Sequence, residues 1–282
     1  MIGVSPAFFF SLYSTDFTVK DYVRGLDVLQ KLGLSGYQLE VFTKSRLDEW
    51  EKDWPSLLKR SNELGLTVTQ FVAHFLLSAT VDAEALVGDQ GYEEMKRVTE
   101  IVSHFPDCKT ITLPLSPFSW PKDTSMDTDT YRRLWDRLTA KLLRFDEIVR
   151  TGGLRLGLEI VPGSLLGGTE GLLRLSCETG NTTIGYNFDT GHAYSSKESI
   201  CTIPAKLAGR IYGTHLKDNF GTENLALPPG RGTIPWDSVI QSLIDTGYTG
   251  SFDLEIACAD PNEVEDAYRT GKMNIEQRVQ KK

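Results

Sequence analysis

At 282 residues, with 40% hydrophobic and 24% charged side chains, the chain has the balance of an ordinary globular protein and ample material for a core, which excludes extensive disorder. Its 38 acidic residues outnumber 30 basic ones, the formal charge is −8, and no block of Lys or Arg makes a phosphate-binding stripe, so nucleic acid is not an expected partner. The apolar start, Met1 to Phe10, lacks a basic flank, and no apolar run approaches the roughly 18 residues of a membrane span, so the expectation is a cytoplasmic protein without a membrane partner.

Along the chain, short runs rich in Val, Ile, Leu and Phe alternate with longer amphipathic segments, the pattern of repeated βα units. The predicted strands are Ile2–Phe9, Gly36–Phe42, Thr67–His74, Thr110–Pro114, Arg155–Val161, Thr183–Asp189, Ile211–Leu216 and Ser251–Ile256. Helical spacing is clearest over Val19–Leu32, through Tyr22, Leu26, Leu29 and Leu32, and over Tyr131–Val149, through Leu134, Leu138, Leu142 and Phe145. Gly33, Gly65, Gly152, Gly180 and Gly247 fall where a left-handed residue would end a helix before the next strand. Eight such units, with no GxGxxG after the first strand, predict a single (β/α)8 barrel over residues 1–282 rather than an open doubly wound sheet. Cys108, Cys177, Cys201 and Cys258 are scattered without a CxxC pair and read as buried, reduced thiols. The stretch from Pro261 to Lys282 is expected to pack on the barrel or on a second copy of the chain, which leaves a homo-oligomer open.

Functional side chains of such barrels stand at the carboxyl ends of strands. Four consecutive predicted strands end in a residue that ligates or titrates: Glu159, Asp189, His215 and Glu255. Burying carboxylates at strand ends costs several kcal/mol unless a cation compensates them, so convergence of the four calls for a divalent ion. Three carboxylates and one imidazole are a hard, oxygen-rich set that favours Mn, with Mg, Co, Fe and Zn as alternatives. Any one of the four alone reads equally well as a strand-end cap or ion-pair partner. Glu40 and His74 end two further strands and are expected on the pocket floor, Glu40 orienting a ligand. Lys217 either pairs with Asp218 or lines the pocket. Arg231 either binds a substrate oxygen with its planar fork or is a solvated loop residue. Phe8, Phe9, Phe118 and Trp120 would either wall a carbohydrate ring or belong to the core.

The motifs Leu158-Glu159, Asp189-Thr190-Gly191-His192, His215-Leu216-Lys217-Asp218, Gly230-Arg231-Gly232-Thr233-Ile234-Pro235-Trp236 and Leu254-Glu255 resemble those of the xylose isomerase-like barrels, the sugar phosphate isomerase and epimerase superfamily. The resemblance spans nearly the whole chain and is greatest to the ketose 3-epimerase and inosose isomerase branches. It implies that Glu159 and Glu255 are both metal ligands and proton-transfer groups on opposite faces of a sugar or keto-polyol, and that His192 contacts a substrate oxygen. Proton abstraction beside a carbonyl, through a metal-stabilised enediolate, would then give an epimer or an aldose-ketose isomer according to where the proton returns.

The chain departs from the ketose 3-epimerase pattern after two ligands, with Ile160-Val161-Pro162-Gly163 and Leu216-Lys217-Asp218-Asn219 in place of the branch's Asn-Arg and Gly-Glu-Asn-Asn-Arg stretches. That leaves room for a keto-inositol, an oxidised sugar acid or a phosphorylated sugar. A dehydratase resembling 3-dehydroshikimate dehydratase is the nearest rival, since both reactions begin with the same proton abstraction. A non-catalytic sugar-binding barrel is a third reading. An endonuclease IV-like nuclease is disfavoured, because four histidines (His74, His104, His192, His215) cannot complete its three-zinc cluster.

Overall fold

A computed structural model describes residues 1–120 and 127–280. Strands and helices alternate in the order β1 (Ile2–Val4), α1 (Ala7–Tyr13), α2 (Val19–Lys31), β2 (Gly36–Glu40), α3 (Leu47–Leu64), β3 (Thr67–Val72), α4 (Tyr92–Ser103), β4 (Thr110–Leu115), α5 (Thr128–Thr151) and β5 (Arg155–Ile160). They continue with α6 (Thr169–Thr179), β6 (Gly185–Asp189), α7 (Thr190–Ser195), α8 (Ile203–Lys206), β7 (Ile211–His215), α9 (Trp236–Asp245), β8 (Phe252–Leu254) and α10 (Val264–Val279). The eight strands pair in parallel in the order β7-β6-β5-β4-β3-β2-β1-β8. A bridge between Leu216 and Leu254 joins the two ends: Leu216 N donates to Asp253 O at 2.8 Å and Glu255 N to Leu216 O at 3.0 Å. The result is the expected (β/α)8 barrel.

Local chemistry sets the helix ends. Thr18 caps α2 in a capping box with Asp21, and Asp127 caps α5 by accepting from Thr130 N. Leu26 and Leu29 of α2, and Leu138, Leu142 and Phe145 of α5, are buried against the barrel as their spacing requires. Four of the five predicted glycine stops have φ between 64° and 74°, whereas at the end of α5 Gly153 (φ 73°) takes the left-handed position and Gly152 (φ −81°) does not. Alternation along each strand sends Tyr37 and Leu39 of β2 outward to the helices and Gln38 and Glu40 inward.

Several boundaries differ from the sequence reading. The first strand ends at Val4, because Pro6 starts α1 and carries Phe8 and Phe9 into the core, where Phe9 stacks on Tyr22 at 3.7 Å. Neither ring walls the functional mouth. The third strand stops at Val72, and His74 opens a 3₁₀ turn over His74–Thr80. The sixth begins at Gly185, two residues late, because Asn181 Oδ1 accepts from Thr183 N and Ile184 N and holds that stretch as a turn. All four cysteines are free, yet Cys108 alone is buried; Cys177 is exposed and Cys201 and Cys258 are half-buried. The C-terminal segment packs on its own barrel: Tyr268 of α10 donates to Ile256 O at 2.9 Å and lies edge-on to Phe8 at 4.9 Å. Lys281 and Lys282, at the end of that predicted stretch, lie outside the described residues. Among the described residues no helix is long and apolar enough to cross a membrane.

Candidate metal centre

The barrel register brings the four strand-end residues together. Asp189 sits opposite His215 in the β6–β7 pairing, Glu159 is the fifth residue of β5, and Glu255 directly follows β8. One donor atom from each of Glu159, Asp189, His215 and Glu255 lies within 4.8 Å of every other. His215 Nδ1 is 2.9 Å from Glu255 Oε2, 3.5 Å from Glu159 Oε2 and 3.9 Å from Asp189 Oδ2. Asp189 Oδ2, His215 Nδ1 and Glu255 Oε2 are nevertheless buried without an aligned hydrogen bond. Buried polar atoms are normally satisfied, and these three meet only charged neighbours within the cluster, so their convergence on one spot describes a place where a ligand could enter. The donor set, three carboxylate oxygens and one imidazole nitrogen, fits a divalent cation.

Around the quartet, side-chain nitrogens face the buried carboxylates. His192 Nε2 is 3.1 Å from Glu159 Oε1 and 3.3 Å from Asp189 Oδ2; Lys217 Nζ is 2.7 Å from Asp189 Oδ2 and 3.3 Å from Glu255 Oε2. Burial by itself would raise both glutamates, but His215 and His192 together hold Glu159 well below the ordinary carboxylate range, and Lys217 and His215 bring Glu255 down to about 2. For Asp189 burial wins over His192 and Lys217, and its carboxyl is raised. His215 moves the opposite way from a buried histidine, because the charges of Glu255 and Glu159 outweigh desolvation and raise it well above its usual value.

The quartet opens into a cavity of about 370 Å³ at the carboxyl ends of the strands, a size that suits a small ligand. Glu159, His192, His215, Lys217 and Glu255 line one side. Phe10 and Phe42 line it as well, and Phe42 stacks on His74 at 4.0 Å and 16°. The aromatic wall thus comes from Phe10 and Phe42; Phe118 is buried against Trp120, whose side chain is exposed. Glu40 is buried, faces the cavity and leaves Oε2 without a partner. Burial and then the charges of Glu159 and Glu255 raise its carboxyl well above the ordinary range. Arg231 is exposed and does not line this cavity. Lys217 and Asp218 do not pair with each other: Lys217 meets Asp189 and Glu255, and Asp218 accepts from Trp236 Nε1.

The model of the xylose isomerase-like TIM barrel family matches residues 26–276, nearly the full chain. The chain belongs to this family. Among curated relatives, the D-psicose 3-epimerase of Enterocloster bolteae is 26% identical over 141 residues, 48% of this chain and 44% of that protein. The inosose dehydratase of Bacillus licheniformis is 29% identical over 138 residues, 43% of this chain and 46% of the relative. The match thus spans less than half the length of either relative. Among solved structures, the IolI protein with a bound zinc atom superposes with a TM-score of 0.75 at 17% identity, covering 99% of this chain and 98% of the other.

Three further residues of this xylose isomerase-like barrel carry the site without having been read from the sequence. Gln38 Oε1 lies 2.8 Å from His215 Nε2, so the residue behind that imidazole is Gln38 and not Glu40, two positions on along the same inward face. Asp253, two residues before Glu255, accepts from Gln38 Nε2 and Thr69 Oγ1, each at 2.8 Å, and from Ser251 Oγ at 2.5 Å. Asp218, left aside in the sequence reading, accepts from Gly230 N, Ile234 N and Trp236 Nε1 and so ties the Gly230–Trp236 loop to the end of β7. The signal for Gln38 and Asp253 was alternation: each stands two residues before a site residue, on the inward face, as Asn187 does before Asp189. Gly213 stands at the same level, where a Cβ would lie 2.2 Å from Gln70 Oε1 and 2.8 Å from Asn187 Oδ1, so glycine makes room for the Gln70–Asn187 hydrogen bond.

Proposed function

We propose that the protein is a divalent-metal-dependent sugar isomerase or epimerase, acting on a sugar, keto-polyol or sugar phosphate by moving a proton next to a carbonyl. The observation that carries this reading is that Glu159 and Glu255 reach one cavity from β5 and β8, each beside a second proton-holding group: His192 at 3.1 Å from Glu159 and Lys217 at 3.3 Å from Glu255. Glu159, Asp189, His215 and Glu255 would hold the metal, Mn(II) by preference, which would polarise the carbonyl and neighbouring hydroxyl of the substrate.

The chain's own residues do the rest. Both glutamates are held ionised by their cationic neighbours, so either is ready to accept a proton. The glutamate that takes the substrate proton becomes an acid and can return it to the neighbouring carbon, which gives an isomer; delivery to the opposite face needs a proton on the other side, which Lys217 Nζ, 3.3 Å from Glu255 Oε2, would supply through Glu255 before being reprotonated from solvent. His192 and Lys217 offer N–H donors to substrate hydroxyls, and the carboxyl of Glu40 has an unpartnered oxygen facing the same space. Phe10, Phe42 and His74 present an apolar surface to the C–H face of a carbohydrate, and exclude water from the exchange. A cytoplasmic enzyme formed as one barrel domain, with a homo-oligomer left open, is part of the same proposal.

The test is NMR of Mn-loaded protein with ketoses, keto-inositols and keto-acids in deuterated water. Deuterium beside the carbonyl together with an isomeric product supports the reading; a product that has lost water moves the assignment to a dehydratase, the second reading that similarity to an inosose dehydratase favours. Stoichiometric binding of these compounds without exchange would replace both with a sugar-binding barrel.

A further inference from the structure

The residues that could ligate a metal rest on a polar layer inside the barrel rather than on an apolar one. Gln38, Gln70, Thr112, Asn187, Thr214 and Asp253 are all buried there. One chain of contacts in this layer has a fixed polarity. A carboxylate in contact with three donors can only accept, and Asp253 receives Gln38 Nε2, Thr69 Oγ1 and Ser251 Oγ. The amide of Gln38 is thereby turned so that its nitrogen faces Asp253 and its oxygen, Oε1, faces His215 Nε2 at 2.8 Å. An amide oxygen is an acceptor, so the proton of a neutral His215 belongs on Nε2, which leaves the Nδ1 lone pair directed at Glu159, Asp189 and Glu255.

We infer that Gln38 is a positioning residue: Asp253 sets the orientation of the Gln38 amide, and the amide selects the His215 tautomer whose Nδ1 can bind a metal. The inference rests on the metal-site reading above, but it makes a separate demand. Reversing the Gln38 amide would present an N–H to Nε2, place the imidazole proton on Nδ1 and close the ligand position. Asp253 blocks that reversal, since the amide oxygen would then meet a carboxylate with no proton between them. Gln38 thus acts through His215 and touches neither substrate nor metal.

The experiment is titration of metal-free protein with Co(II) by calorimetry, on wild type, Gln38→Met and Gln38→Glu, with histidine-ring NMR of the cadmium-loaded forms. Methionine keeps the volume of the side chain and removes the acceptor. Glutamic acid keeps an acceptor for His215 and, in its protonated form, a donor for Asp253. Gln38→Met is expected to weaken Co(II) binding roughly 10- to 100-fold with an unchanged circular dichroism spectrum, and to broaden or lose the Nε2–H signal of His215. Gln38→Glu is expected to stay within about threefold of wild type, as substitutions that leave a contact intact do. Equal affinities in all three proteins would overturn the positioning role. Equal weakening in both variants, with lowered thermal stability, would also overturn it by assigning Gln38 to packing alone. Failure of the wild type itself to bind Co(II) would remove the metal-site reading, and the two failures are distinguishable because no substrate enters the measurement.

Discussion

The two mouths of the barrel hold cavities of similar size, about 370 Å³ at the carboxyl ends of the strands and about 330 Å³ at the amino ends. Their polar groups differ in whether they are finished. At the amino end Arg155 lies over the Tyr212 ring at 4.5 Å and donates to Thr110 Oγ1, and Asp253 accepts three hydrogen bonds. At the carboxyl end Glu40 Oε2, Asp189 Oδ2, His192 Nδ1, His215 Nδ1 and Glu255 Oε2 are buried without aligned partners. Volume therefore does not separate a site from a gap in packing. Bare polar atoms also occur elsewhere, at Trp50 Nε1, Thr139 Oγ1 and Asp146 Oδ1, so what marks the carboxyl-end mouth is that five of them, all on titratable side chains, gather there.

If that comparison is right, the largest effects belong to the carboxyl-end mouth. Glu159→Gln or Glu255→Gln should lower turnover of an identified substrate by about 10² to 10⁴-fold, measured as kcat with circular dichroism to show an intact barrel. Near wild-type turnover in either variant would break the two-glutamate account. Asp218→Ala should come next: it strips the acceptor from Gly230, Ile234 and Trp236, and is expected to destabilise by about 2 to 4 kcal/mol in urea unfolding. A change below half a kcal/mol would show that the loop holds without it.

A pH series sharpens the comparison further. Glu40 is raised in the folded protein by burial, so its neutral form contributes stability that is complete below the unfolded value, near pH 4.3, and is lost as pH rises through the raised folded value. In metal-free protein Glu40→Gln should therefore be more stable than wild type at neutral and alkaline pH, with the difference closing below about pH 4. A difference that stays constant across pH would place Glu40 outside this argument. The smallest effect is expected at the amino-end mouth, where Arg155→Ala should change stability by less than about 1 kcal/mol and leave turnover unaltered. A large loss of activity there would erase the distinction between the two ends.

The four strand-end residues that converge were legible because a carboxylate or imidazole closing an apolar run violates the ordinary rule of burial, and four successive violations meet once the strands close into a barrel. Gln38 and Asp253 were not legible in the same way. They lie inside strands, where an alternating polar residue reads as solvent-facing, and only closure turns that face into the barrel interior. The first strand was read too long because Phe8 and Phe9 satisfy a strand pattern as well as a helix pattern, and Pro6 decides between them. Arg231 was drawn into the candidate site by its motif, whereas the same motif is organised around Asp218 and leaves the guanidinium exposed.

The central claim is that Glu159, Asp189, His215 and Glu255 form one metal site. Its most direct test is Mn(II) binding to metal-free protein, followed by electron paramagnetic resonance, for wild type and Asp189→Asn. One tightly bound ion per wild-type chain, and loss of that binding in Asp189→Asn with the barrel still folded, is the predicted result. Absence of stoichiometric binding in the wild type, or identical binding in the variant, would contradict it.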